Sequence, residues 1–459
     1  MLSFDSWHDF RSSFCPAYLE LVNTIVPGPQ SISYFIPQIL LLTCLLIPPS
    51  IISHDGLAIL AMPIILGSTT HAWIAMRGVD VISVDTIWWS FFFLVFKDPR
   101  NDFRRLLIAS ESKTSGDSSD LGNVIEEPYP SDLWPRLHWV FALFSNRPLN
   151  SWKIGVTSHD TTVSRPYVSR SRITFIKGIL LVLAPAIAIA MPLALQLKAH
   201  DKFFSRPGQS LLMPYGSYGE TSPFMVDIIQ QALPRALLRP LVLGMYLYSL
   251  MILMFLVPYL LPIFASFIAA SPNARWSPHT WPRPRFGPFS AVLDDGLKGL
   301  WGRWWHQQMR HAVSEPGRWL ATKLRLKRGG LARYACICVS AFTLSGLTHM
   351  GLVPPEPRYA EFHGPWELRL LVATFFWVQP IGILLEVTLV EGFITTTSRW
   401  LGLARSLERI MRLFWVLLFM SFSCTFLLNP FLELGYWKIW PPFFLDENTK
   451  RLLRGSWMA

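Results

Sequence analysis

The chain has 459 residues, of which 15% are charged and 51% hydrophobic, with a mean hydropathy of +0.33. Soluble domains carry roughly 25% charged residues, so these figures exclude a string of soluble domains, and equally disorder, collagen or a disulfide scaffold. The 41 Lys and Arg exceed the 30 Asp and Glu to give +11, an excess that in a membrane chain reports basic cytosolic loops rather than a nucleic-acid partner.

Residues 1–14 are polar and mixed in charge. They lack the basic start and apolar run of a signal peptide, so the first apolar segment is expected to start insertion itself. That segment, residues 21–54, carries no charge and is most apolar over 32–52. Residues 56–76 form the next candidate, and 81–96 a shorter one that contains Asp85 and suits a re-entrant segment as well as a span. A polar loop follows, with Arg100, Arg104, Arg105, Arg165, Arg170 and Arg172; its stretch 110–132 reads as a flexible insert rich in Ser, Asp, Gly and Pro. Residues 178–197 are a clear span, and 240–274, with Pro258 and Pro262, read as one long kinked helix. The most basic loop, 275–333, precedes apolar segments at 334–355, 371–390 and 413–430, the last two separated by Arg399, Arg405 and Arg409.

About 20 apolar residues span a bilayer core. The expected fold is therefore all-α, a polytopic membrane protein with about seven or eight transmembrane helices. The three basic loops alternate along the chain with more neutral ones, which places them in the cytosol. The expected organisation is an N-terminal segment (1–30), the first transmembrane helices (31–96), a cytosolic basic loop with its insert (97–173) and a core (174–459).

The five cysteines, Cys15, Cys44, Cys336, Cys338 and Cys424, include no Cys-x-x-Cys pair. His306 and His311 are five apart, not the four of a helical metal pair. No metal site or disulfide framework is expected. No Gly-x-Ser-x-Gly elbow, no phosphate-binding loop and no His-x-x-x-Asp-Gly sequence occurs either.

Ionisable groups inside spans are costly and therefore candidates for function. His349 lies in the charge-free stretch Ser345-Gly346-Leu347-Thr348-His349. It reads either as a hydrogen-bonded bundle histidine or as a proton acceptor. Glu386 follows Gln379-Pro380 and is either functional or reaches the interface from near a helix end. A second constellation, Trp301-Gly302-Arg303-Trp304-Trp305-His306-Gln307, lies in the most basic loop. By composition it suits an interfacial helix with Trp and Arg at the headgroups.

Together the Trp301–Gln307 block, the Ser345–His349 block and Phe375-Phe376-Trp377-Val378-Gln379-Pro380 followed by Glu386 resemble the wax-synthase-like branch of the membrane-bound O-acyltransferases. The resemblance covers roughly residues 284–432. Here His306 stands where plant members carry Asn, and Trp304 where they carry a second Arg. The resemblance implies an acyl-CoA-dependent O-acyltransferase with His349 as general base and His306 as a second catalytic group. It also implies substrate- or CoA-binding by Arg303, Trp301, Trp305, Gln307 and Glu386. No cofactor is implied beyond acyl-CoA as co-substrate. The partners are that donor, a lipophilic alcohol and membrane lipid, in a multi-pass protein of the endoplasmic reticulum. Similar fungal chains point to acetyl-CoA and a terpenoid or meroterpenoid hydroxyl. A wax synthase using long-chain alcohols is the alternative within the class. A membrane transporter with His349 and Glu386 in a proton relay is the alternative outside it, and it leaves the Trp301–His306 block without a role.

Overall fold

The computed structural model describes residues 32–75, 78–108, 124–155, 172–205, 224–254, 286–355, 362–401 and 404–436, with isolated positions between them. Most of segment 1–30, the second half of the expected 240–274 helix and the insert residues 109–123 lie outside the described residues.

Helices α1 (Ile32–Leu46), α2 (His54–Ala75) and α3 (Val81–Phe91, continued by a π-helical turn Phe92–Phe96) form the first bundle. Their apolar faces meet in a core with Leu41, Leu45, Ile65, Trp89, Phe92 and Phe93 fully buried. The shorter 81–96 segment is thus helical throughout, started by Asp80, whose carboxylate accepts the Ser83 N–H at 2.9 Å.

The next stretch corrects the all-α expectation. Phe103–Ile108 (β1), Val124–Glu127 (β2), Trp152–Ile154 (β3) and Thr162–Val163 (β4) form an antiparallel sheet in the order β2-β1-β3-β4. Strands of two to six residues are too short for an alternating pattern to stand out from the sequence. Cross-strand charge pairs join them: Arg105 lies opposite Glu127, and Lys153 reaches Glu126 at 2.7 Å. Helix α4 (Leu133–Ser145) packs beside this sheet on α1. The carbonyls at the end of α1 and just beyond it, which have no partner within the helix, are taken by side chains of this module and of the turn before β1. Tyr129 donates to the Leu45 carbonyl at 2.9 Å, Arg136 to Leu46 at 3.2 Å and Arg100 to Ile47 at 3.2 Å. Burial pushes the Tyr129 phenol up to about 12, so it stays a donor. Within the expected insert, residues 124–132 therefore belong to the packed sheet module.

The remaining helices are α5 (Arg172–Ala199, with a π-helical turn at Ala186–Ala190), α6 (Phe224–Ala232), α7 (Arg235–Met254), α8 (Ser290–Gly299), α9 (Arg310–Lys323), α10 (Leu331–His349), α11 (Pro365–Trp377), α12 (Gln379–Leu385), α13 (Arg405–Ser423) and α14 (Thr425–Glu433). Beyond α12 the chain makes a π-helical turn at Glu386–Val390 and continues helically over Glu391–Leu401. Five described helices are long and apolar enough to cross a bilayer, six if the α13–α14 pair, bent by 48°, counts as one span. The expected seven or eight is reached only if the two shorter apolar helices at Ser33–Leu46 and Val81–Phe96 are counted as spans. The chain is a helical integral membrane protein. One buried ion pair lies among these helices: Arg239, fully buried, holds Asp201 at 2.8 Å.

Candidate active site

The Trp301 block does not lie flat at a membrane surface. Helix α8 breaks at Gly296, whose φ of +58° only glycine adopts readily. A fresh helix start at Leu297 leads into a π-helical turn, Leu300–Trp304. The indole of Trp301 enters the bundle between two apolar cores. It packs edge-on to Phe342 of α10 at 5.6 Å and to Phe375 of α11 at 6.1 Å. At about 1.5 Å per residue, Phe342 lies ~17 Å along α10 from Leu331, so this tryptophan reaches the middle of the span. The headgroup placement suggested by composition is corrected for Trp301, because Trp305, Phe342, Phe375 and Phe376 give its ring an apolar seat inside.

Two buried polar side chains from the α11–α12 region hold the block. Gln379, fully buried, accepts the Trp301 indole N–H at 3.1 Å and donates to the Phe375 carbonyl at 2.8 Å. Glu386, 2% exposed, accepts the backbone N–H of Leu297 at 2.6 Å and of Lys298 at 3.0 Å. These are the orphan donors of the helix start after Gly296, and a carboxylate is well suited to them. A Cβ at Gly296 would sit 2.2 Å from Glu386 Oε2. The structure thus gives Glu386 an architectural task.

Gln307 closes the block on its other side. Its amide donates to the carbonyls of Trp305 at 2.5 Å and Trp301 at 3.3 Å. Arg303 is half-exposed and pairs with Asp295. Trp304 stacks on Tyr248 at 5.5 Å, and Trp305 lies against Phe286 at 5.4 Å.

His349 occupies the last turn of α10, ~27 Å along the helix from Leu331. Its Nδ1 lies 2.7 Å from the Ser345 carbonyl oxygen. A carbonyl only accepts, so Nδ1 carries the proton and Nε2 presents a lone pair. Among the described residues Nε2 has no hydrogen-bond partner. The imidazole lies nearly parallel to the Phe376 ring, 4.0 Å between centroids. Gly346, one turn back, lets Trp377 approach to where a Cβ would be 2.4 Å from its indole nitrogen.

The two histidines do not touch. They stand at the ends of one aromatic chain, His306–Trp305–Trp301–Phe376–His349, with centroid separations of 5.5, 6.1, 6.4 and 4.0 Å. Of the expected site residues, the structure gathers Trp301, Trp305, Gln307 and His306 on one side, with Glu386 beneath, and His349 on the other. Arg303 points outward. The sequence reading gave Gln379 and Phe376 no role, although an amide before a proline in an apolar run was a visible signal. Among the described residues no cluster of His, Cys, Asp or Glu has the form of a metal site.

The site thus pairs a tautomer-fixed histidine, without a hydrogen-bond partner at Nε2 among the described residues, with an aromatic block that ends in the exposed Arg303. Comparison with known proteins gives the class. Residues 281–355 match the membrane bound O-acyl transferase family, a stretch that holds both histidine blocks. The chain is 32% identical over 171 residues to the acetyltransferase aurG of Calcarisporium arbuscula, covering 36% of this chain and 37% of that protein. It is 28% identical over 177 residues to the acetyltransferase nanB of Aspergillus nanangensis, covering 37% and 39%. To the acetyltransferase cdmC of Talaromyces verruculosus it is 27% identical over 178 residues, covering 34% and 36%. The chain thus aligns with little more than a third of the length of these relatives. The resemblance to the membrane-bound O-acyltransferases, and to their fungal acetyltransferases, holds over this region. No solved structure matches the chain.

Proposed function

We propose that the protein is a membrane-bound O-acyltransferase that moves acetyl from acetyl-CoA to a hydroxyl of a lipophilic terpenoid or meroterpenoid. The observation that carries this reading is the His349 Nδ1 to Ser345 carbonyl contact of 2.7 Å, which leaves Nε2 as a base. The similarity to fungal proteins named acetyltransferases supports the choice of donor.

The donor approaches from the cytosol, where the basic loops attract its phosphates. Arg303, half-exposed beside Asp295, is the cation of the block that meets those phosphates. Trp301, Trp305 and His306 line the way inward, and His306 hydrogen-bonds the thioester carbonyl or the acceptor. The acceptor reaches His349 through the bilayer of the endoplasmic reticulum. Its hydroxyl gives its proton to Nε2 as the oxygen attacks the thioester carbonyl carbon. The C–S bond then breaks, and His349 returns the proton to the departing CoA thiolate. Holding both substrates in one site supplies much of the acceleration and requires no covalent enzyme intermediate.

Microsomes containing the protein, given labelled acetyl-CoA or palmitoyl-CoA with lipophilic alcohols, test this reading. Acetyl ester formed by the wild type and lost in His349→Ala is the expected result. Palmitoyl ester instead would make the protein a wax synthase, and no ester from either donor would remove the enzyme reading.

A further inference from the structure

Helix α3 lies far outside the stretch that matches the family, yet it contacts the turn that carries His349. The indole Nε1 of Trp88 donates to Thr348 Oγ1 at 2.9 Å, across 260 residues of sequence. Thr348 is fully buried, and its own hydroxyl proton goes to the Leu344 carbonyl at 2.9 Å. The direction of this pair is therefore fixed: the threonine lone pair receives Trp88 and nothing else donates to it among the described residues. The neighbouring carbonyl, Ser345, holds His349 Nδ1. Side chains 348 and 349 thus fold back onto consecutive carbonyls of one helical turn.

A second contact keeps α3 against that turn. After His349 the chain tightens into a 3-10 turn, Met350–Leu352. A Cβ on Gly351 would lie 2.5 Å from the Asp80 carbonyl carbon, so glycine permits backbone contact with the start of α3. Asp80 is itself steadied by Ser83 and by the Tyr34 hydroxyl at 3.3 Å. The His349 turn is held from α3 at two places, by backbone at Gly351 and by the indole at Thr348.

We infer that Trp88 is a positioning residue of the acyltransferase site, setting the orientation of His349 through Thr348. This rests on the reading of His349 as general base. The N-terminal bundle then serves the reaction by positioning its base.

The test compares the full-length protein in detergent with Trp88→Phe, Thr348→Val, Thr348→Ser and the Trp88→Phe/Thr348→Val double variant. Two readouts are taken: hydrogen exchange of residues 344–352, and acetyl transfer from acetyl-CoA to farnesol or dodecan-1-ol. Losing one buried hydrogen bond that leaves its partner unsatisfied corresponds to about a tenfold effect. Trp88→Phe and Thr348→Val should each raise exchange in this segment about tenfold. Each should lower kcat by a similar factor, with KM for acetyl-CoA within about twofold of wild type. The double variant should be no worse than either single, and Thr348→Ser should behave as wild type. Unchanged exchange and kcat in Trp88→Phe overturn the inference, and so do single effects that multiply in the double variant. If the wild type acetylates neither alcohol, the proposed function loses its support, while the exchange readout still decides whether Trp88 holds the turn.

Discussion

Replacing Glu386 by Gln separates two tasks that sequence and structure assign to it. The carboxylate, 2% exposed, accepts two backbone N–H groups, from Leu297 at 2.6 Å and Lys298 at 3.0 Å. A carboxamide offers one acceptor oxygen and turns its NH2 group toward the second N–H. One charge-assisted bond is lost, and a buried donor is left facing a donor. Such bonds contribute about 1.5–3 kcal/mol, and an unsatisfied buried donor costs about 1–3 kcal/mol. A net cost of about 3 kcal/mol to the block is a fair sum, which is about a hundredfold in its local opening equilibrium. Hydrogen exchange of residues 296–305 in the detergent-solubilised protein should rise by that factor, and kcat should fall as Trp301 and His306 lose their seat. KM for acetyl-CoA should change less than kcat. Exchange within twofold of wild type, together with a raised KM for acetyl-CoA alone, would refute the reasoning and place Glu386 on the donor.

Three further expectations follow the same logic. Gln379→Leu leaves the Trp301 indole N–H without its acceptor; a loss of about 1–3 kcal/mol in stability, read as a lower melting temperature in detergent, should accompany reduced acetyl transfer. Gly296→Ala forces a methyl group into a φ of +58° and onto Glu386; it should match Glu386→Gln in the exchange of residues 296–305, and normal exchange there would contradict the role given to that carboxylate. His311, on α9, is held down to about 3 by burial and by Arg310 and Arg318. It stays neutral in the fold while the unfolded chain binds a proton below about 6.5, so stability should decline as pH falls from about 6.5 toward 3. His311→Gln should flatten that decline in a thermal-unfolding series from pH 7 to 5, and an unchanged slope would count against it.

The bilayer character, the clear spans and both histidine blocks were legible because long charge-free runs and clustered Trp, Arg and His stand out in one dimension. The sheet module was not, because its strands are short and its cohesion comes from pairs such as Lys153 and Glu126, 27 residues apart. The depth of Trp301 was also hidden. Composition places Trp beside Arg at headgroups, and only the break at Gly296 with the buried acceptor Gln379 turns that indole inward. Glu386 looked functional because an acid in an apolar run is rare. Its partners are backbone amides 89 and 88 residues away, which no spacing rule shows. Trp88 and Thr348 lie in separate halves of the chain, and neither residue type signals the other.

The central claim is that His349 Nε2 accepts the acceptor's hydroxyl proton. The most direct test is kcat for acetyl transfer by His349→Gln in purified protein whose melting temperature and exchange at residues 344–352 match wild type. General-base catalysis contributes about 10²–10⁴-fold, and the account predicts a loss of that size with KM for acetyl-CoA little changed. A folded His349→Gln protein that keeps wild-type kcat would contradict it.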